Sequence, residues 1–210
     1  MAGKVRSKSE LAIILSKFED FAEQKIELEQ YSTPSEIAAA ILWDAKMNGD
    51  IDGKTILDAA SGPGYFGIGA LLLGARKAFL VDINKDAIEI SKRNYAAVAG
   101  NFEIGEAVFV NKSIEEFNEA VDVVVENPPF GTKKKHIDKV FLEKAFQSAP
   151  VVYTIHKITS KKFIEAICDD FRYEIKMLVE FDFPLKATQE FHKKKRYAVK
   201  AGLWKLARKP

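Results

Sequence analysis

From Lys54 onward the chain alternates short runs rich in β-branched and aromatic residues with segments of helical period, and no other feature restricts its fold as much. "KTILDAA" reads as a strand, "GPGYFGIGALLLG" as a glycine-rich turn opening a helix, and "KAFLVDI" as a second strand. "KDAIEISKRNYAAVA" is helical, and "EAVFVN" and "VDVVVEN" are strands. Next come a helix in "DKVFLEKAFQSA", a strand in "VVYTIHK" and a helix in "SKKFIEAICDDF". The longer strands "YEIKMLVEFDF" and "YAVKAGLWKLA" close the series with no helix between them. Strands alternating with helices imply a parallel sheet with crossover helices on both faces. The last two strands should pair antiparallel at one edge. The expectation is an α/β, doubly wound, mostly parallel seven-stranded sheet in a single domain, 1–210. Residues 1–33 form an N-terminal helical extension to a core of 34–210.

Within that extension, Leu11, Ile14, Leu15, Phe18 and Phe21 recur at helical spacing between residues 7 and 29. Thr33 reads as the N-cap of a helix over about 34–47, with Pro34 in its first turn and Glu36 completing a capping box. No internal repeat, linker or low-complexity segment interrupts the chain.

A composition 47% apolar and 30% charged is that of a globular chain. No apolar run reaches membrane-spanning length, and the N-terminus lacks an apolar signal core. The single Cys168 excludes an internal disulfide and a cysteine-only zinc site, which points to a reduced, cytoplasmic setting. His136, His156 and His192 lack metal-site spacing, so no metal is expected. Net charge is only +2, but no acid follows Glu190, while Lys193, Lys194, Lys195, Arg196, Lys200, Lys205, Arg208 and Lys209 accumulate. With Lys133, Lys134 and Lys135 this makes two basic clusters, either an RNA path or a solvated surface.

"LDAASGPGYFG" satisfies G-x-G-x-x-G through Gly62, Gly64 and Gly67, with Asp82 about twenty residues on. That spacing suits a nicotinamide dinucleotide. Two residues favour S-adenosylmethionine instead. Asp58, at the end of the first strand, would repel a pyrophosphate but could hold an ammonium, and Pro63 removes a backbone donor that a pyrophosphate would use. In that reading Ala60, Ser61, Gly62 and Gly64 cradle the amino-acid end of the cofactor and Asp82 binds the ribose hydroxyls. Ile83 packs on the adenine and Asn111 bonds its edge. The "GKT" at Gly53–Thr55 is no phosphate loop, because Asn48 stands where glycine is required and a strand follows.

"ENPPFGTKKK" ends the fourth strand where open α/β sheets bind ligands. An exocyclic amine is a poor nucleophile, since its lone pair is delocalised into the neighbouring π system. Two acceptors on its hydrogens favour the more tetrahedral nitrogen of a transition state. The Asn127 oxygen and the Pro128 carbonyl can be those acceptors. Pro128 and Pro129 each bias the preceding residue towards extended geometry, and Phe130 offers a face for a flipped-out base. A plain turn with Phe130 in the core is the other reading.

The glycine loop, the acid ending the second strand and Asn-Pro-Pro-Phe together resemble a class I amino-methyltransferase, a Rossmann-like fold. "LEQYST", "NPPFGTK", "YTIHK" and "FHKKK" extend the resemblance along nearly the whole chain. They are similar to a methyltransferase-like family that makes N6-methyladenosine in small-subunit ribosomal RNA. The resemblance implies that Gln30 and Thr33 close over the cofactor, and that Asn127, Pro128, Pro129 and Phe130 form the adenine site beside it. It also implies that Lys193–Lys195 lie near the RNA path; His192 begins that basic run and Arg196 continues it, so both are candidate RNA contacts. In eukaryotic relatives a small zinc-ribbon activator protein adds a strand beside the third strand, where "EAVFVN" could accept one. Two departures stand out. Ala60 replaces a frequent glycine, tolerable if its φ is negative, and Asn111 replaces an acid. The alternatives are a methyltransferase for DNA adenine or cytosine or a protein glutamine amide, a non-catalytic RNA-binding subunit, and a NAD oxidoreductase. Asn-Pro-Pro-Tyr being commoner in glutamine-directed enzymes, Phe130 leans against that target.

Overall fold

A computed structural model of the chain describes residues 2–21, 32–130, 136–186 and 196–210. Seven strands form one sheet: β1 (Thr55–Ala59), β2 (Lys77–Asp82), β3 (Glu106–Asn111), β4 (Val123–Glu126), β5 (Val151–Lys157), β6 (Tyr173–Lys186) and β7 (Arg196–Arg208). Their order is β3-β2-β1-β4-β5-β7-β6. The first five are parallel, and β7 lies antiparallel between β5 and β6. This is the fold of class I methyltransferases.

Among the described residues six α-helices occur: α1 (Lys8–Leu15), α2 (Ser35–Met47), α3 (Tyr65–Leu72), α4 (Lys85–Ala99), α5 (Ile137–Ser148) and α6 (Lys161–Asp170). They cover both sheet faces, which is why all five positions of β1 are buried. Leu11, Leu15, Leu42, Ile68 and Leu80 pack one face. Leu57, Val124, Leu142, Ile164 and Trp204 pack the other. Every residue of α3 is buried, since α1 and α2 lie over it.

Three local expectations are corrected. α1 ends at Leu15 with Ser16 as its C-cap, so Phe18 and Phe21 lie beyond the helix that their spacing suggested. α2 starts at Ser35, with Pro34 as N-cap and no side-chain cap. The Thr33 hydroxyl is engaged elsewhere, by Asn127. The valine run joins the sheet at Val123 rather than Val121, because the Val121 N–H donates instead to the Ser148 carbonyl.

Past the last β5–β7 pair, Lys157 with Ala201, β6 and β7 stay paired for five more rungs, to Lys186 with Arg196. At about 3.3 Å per residue the hairpin therefore projects roughly 16 Å beyond the end of β5. That end is the carboxyl edge of the parallel sheet, where β1, β2 and β4 also finish.

Candidate active site

Asp58, Asp82 and Asn127 all stand at that carboxyl edge, carried there by β1, β2 and the exit of β4. The loop between β1 and α3 is built on left-handed backbone: φ is 58° at Ala60, 51° at Gly62 and 90° at Gly64. A negative φ would have made Ala60 an easy replacement for glycine; the observed sign is positive. An L-residue in that region is strained by about 1–2 kcal/mol, and the bond from the Ser61 N–H to the Val81 carbonyl (3.0 Å) helps hold it there.

Asp58 is fully buried, and its Oδ2 accepts from the Gly67 N–H at 2.7 Å. A Cβ on Gly67 would fall 3.2 Å from that oxygen and 2.8 Å from Leu80, so glycine alone permits this approach. Burial raises the Asp58 carboxyl to about 8; it outweighs the opposing effect of the Gly67 bond, and the charges of Asp82 and Glu126 push the same way. A cationic group beside Asp58 would reverse that shift. The Ser61 hydroxyl is buried in the same loop with no hydrogen-bond partner among the described residues.

Asp82 accepts from the Gly62 N–H through Oδ2 and from the Asn84 N–H through Oδ1, each at 2.8 Å. Burial raises its carboxyl despite those two bonds. Each oxygen keeps a lone pair for a further donor. Asn111 donates to the Asp82 and Ile83 carbonyls, both at 3.0 Å, which orients its amide oxygen away from them. Ile83 is 65% exposed, an apolar side chain left bare where a flat ring could rest. A glycine cradle, an unpartnered hydroxyl and a bare isoleucine beside a carboxylate fit a nucleoside bearing a cationic amino-acid tail.

Across the cleft, Asn127 Nδ2 donates to Thr33 Oγ1 at 3.0 Å. Its Oδ1 is buried and has no partner among the described residues. Phe130 is half-buried and packs edge-on against Phe183 of the projecting hairpin (ring centroids 5.9 Å apart). The Lys157 ammonium lies 5.8 Å over its ring. Phe130 thus packs against the core cluster. Pro128 and Pro129 carry the chain between Asn127 and Phe130.

Several participants had escaped sequence reasoning. Asn94 of α4, 3% exposed, donates to the Pro63 and Glu19 carbonyls, both at 2.9 Å, and accepts from the Glu19 N–H at 2.8 Å. It thereby ties the N-terminal extension to the glycine loop, where the Phe21 ring lies against Gly62. A polar residue on the buried face of an amphipathic helix was the available signal. Behind the motif, Glu126 is buried beside Thr154, His156 and Trp204; Glu126 Oε2 and the Trp204 indole nitrogen have no partner among the described residues.

Gln30, Lys133, Lys134, Lys135, His192, Lys193, Lys194 and Lys195 lie outside the described residues, and Arg196 opens β7. No cluster of potential metal ligands occurs among the described residues. No described helix is long and apolar enough to cross a membrane.

The family model described as methyltransferase small domain matches residues 36–153, over half of the chain. The chain belongs to the methyltransferase small domain family. A zebrafish (Danio rerio) relative, rRNA N(6)-adenosine-methyltransferase METTL5, is 33% identical to this methyltransferase over 193 residues, spanning 89% of this chain and 91% of the relative. An uncharacterised Methanocaldococcus jannaschii protein is 34% identical over 195 residues, 90% and 88% of the two chains. Among solved structures, a Pyrococcus horikoshii protein described as a candidate RNA methyltransferase superposes with TM-score 0.86 at 36% identity, covering 97% of this chain and 98% of that one.

Proposed function

We propose that this methyltransferase moves a methyl group from S-adenosylmethionine to the exocyclic N6 amine of an adenosine in RNA, with small-subunit ribosomal RNA as the substrate and S-adenosylhomocysteine as the product. The observation that carries the reading is the buried Asn127 Oδ1, unpartnered among the described residues, whose amide nitrogen is held by Thr33. An orphaned buried acceptor is costly unless a ligand completes it. A planar amine does so, and the relatives named rRNA N(6)-adenosine-methyltransferases favour adenosine over cytosine or a glutamine amide.

S-adenosylmethionine, when bound, supplies an electrophilic sulfonium methyl. Asp58 faces the cationic amino-acid end, Ala60–Gly64 wrap it, and Gln30 and Thr33 close over it. Asp82 takes the ribose hydroxyls, Ile83 covers one face of the adenine ring, and the Asn111 amide accepts at its edge. On the substrate side Asn127 Oδ1 and the Pro128 carbonyl accept the two amine hydrogens, drawing the nitrogen lone pair out of conjugation. Phe130 stacks on the extruded base. The amine becomes acidic as it gains the methyl, so its proton leaves without a strong base. Alignment of amine and methyl supplies the rest of the rate. The Lys133–Lys135 and Lys193–Lys195 clusters, with His192 and Arg196, lie along the RNA phosphates. The outer edge of β3, unpaired among the described residues, is where a zinc-ribbon activator would add a strand. The protein works in the cytoplasm, where small-subunit RNA resides.

The decisive experiment incubates the purified chain with S-adenosylmethionine and small-subunit ribosomal RNA, then identifies modified nucleosides by mass spectrometry. N6-methyladenosine is expected, and Asn127→Ala should abolish it. Methylcytidine, methylated protein, or full activity in Asn127→Ala would overturn the assignment.

A further inference from the structure

Glu126, the last residue of β4, is a fully buried carboxyl with no task in the mechanism above. The Thr154 hydroxyl donates to its Oε1 at 2.9 Å and lies 2.8 Å from His156 Nε2. Thr154 therefore bridges the other two, and the three side chains form one hydrogen-bonded chain through Glu126, Thr154 and His156. Burial pushes His156 down to about 3 and Glu126 up to about 8, so the chain is uncharged near neutrality. The Trp204 ring stands edge-on 6.0 Å from His156. Gly202 makes room for it, since a Cβ there would meet the indole at 2.7 Å.

The position of this chain gives it meaning. The rungs Ala59 with Glu126 and Glu126 with Thr154 are the last that β4 makes. Pro128 and Pro129 have no N–H, so no backbone donor can carry the ladder through them. The direction in which the turn leaves the sheet must then be held by side chains. Asn127 is tied to Thr33, and Glu126 anchors the same exit to β5. Apolar residues of similar volume would spare the desolvation of three polar groups, so stability does not account for the cluster.

We propose that the Glu126–Thr154–His156 chain is a positioning device, fixing the direction in which Asn127 and Pro128 present their oxygens to the substrate amine. It rests on the amine-methylation reading above. The test compares Thr154→Val, Glu126→Leu and Glu126→Gln with the wild type, measuring kcat, KM for ribosomal RNA, S-adenosylhomocysteine affinity and melting temperature. Thr154→Val and Glu126→Leu should lower kcat by about tenfold or more, with KM and cofactor affinity within about threefold. Glu126→Gln keeps an acceptor for Thr154 and should restore most of kcat. If Glu126→Leu does not fold, Thr154→Val, which removes a single hydroxyl, decides. Unchanged kcat in the folded variants overturns the device while the function stands. So does a Glu126→Gln enzyme as impaired as Glu126→Leu. A wild-type chain that methylates no adenosine overturns the functional reading, and the device with it.

Discussion

Thr33 and Asn127 lie 94 positions apart in sequence, yet the amide of one donates to the hydroxyl of the other at 3.0 Å. That bond joins the entry of α2 to the exit of β4, and it decides which Asn127 atom is left for a ligand.

Thr33→Val should therefore release the Asn127 amide to rotate. We expect kcat to fall by about tenfold, the scale of a lost orienting contact in a preorganised site. The S-adenosylhomocysteine affinity should drop less. Steady-state kinetics beside isothermal titration separate the two, and an unaltered kcat would deny Thr33 this role.

Asp58 predicts a pH dependence. Its folded pKa of about 8 lies above the ordinary carboxylate value of 3.8, so the folded state binds this proton more tightly than the unfolded chain. The associated stability is complete below the unfolded value and is lost as pH climbs towards the folded one. The ligand-free melting temperature of Asp58→Asn should fall less steeply over that interval than that of the wild type. Glu126, also raised to about 8, keeps part of the slope in the variant. A cationic cofactor tail should also expel the Asp58 proton. Calorimetry in two buffers of different ionisation enthalpy would reveal that release near neutral pH, and none would place the tail elsewhere.

Ala60→Gly should stabilise the protein. Glycine removes the left-handed strain of about 1–2 kcal/mol, set against about 0.4–1 kcal/mol of extra unfolded-state entropy. A net gain of about 0.5–1 kcal/mol in urea unfolding is expected. A loss would mean that the Ala60 methyl makes contacts worth more than the strain.

Asn94→Ala leaves the Glu19 N–H, the Glu19 carbonyl and the Pro63 carbonyl without their partner. The cost should reach about 2–3 kcal/mol, typical of buried groups stranded together. Cofactor affinity should weaken too, because the glycine loop loses its brace. Denaturant unfolding with and without S-adenosylhomocysteine measures both effects.

The sequence shows the elements more plainly than the ties between them. α4, β3 and β5 begin and end at the residues their patterns indicate, because turn residues flank each one. Asp58, Asp82 and Asn127 were legible because each ends a strand, and the ends of parallel strands share one edge. Thr33 was misread as a cap: the pattern Thr-Pro-Ser-Glu satisfies a local rule, but a long-range partner claims the hydroxyl. The sign of φ at Ala60 follows from the bond between Ser61 and Val81, twenty positions away, which no local pattern contains. Phe183 reads as one apolar residue in an alternating strand. Only the rungs beyond Ala201 bring it to Phe130.

The strand order also sets a timetable for synthesis. β6 leaves the ribosome before β7, but its sheet partner is β7, which must enter between it and β5. Until residues 196–208 emerge, the fourteen residues of β6 have no neighbour to pair with. Trp204, fully buried in the core, arrives with that same late strand. Nascent chains halted before it should expose an open β5 edge and bind chaperones, and the finished enzyme should appear in one step as the final strand slots home.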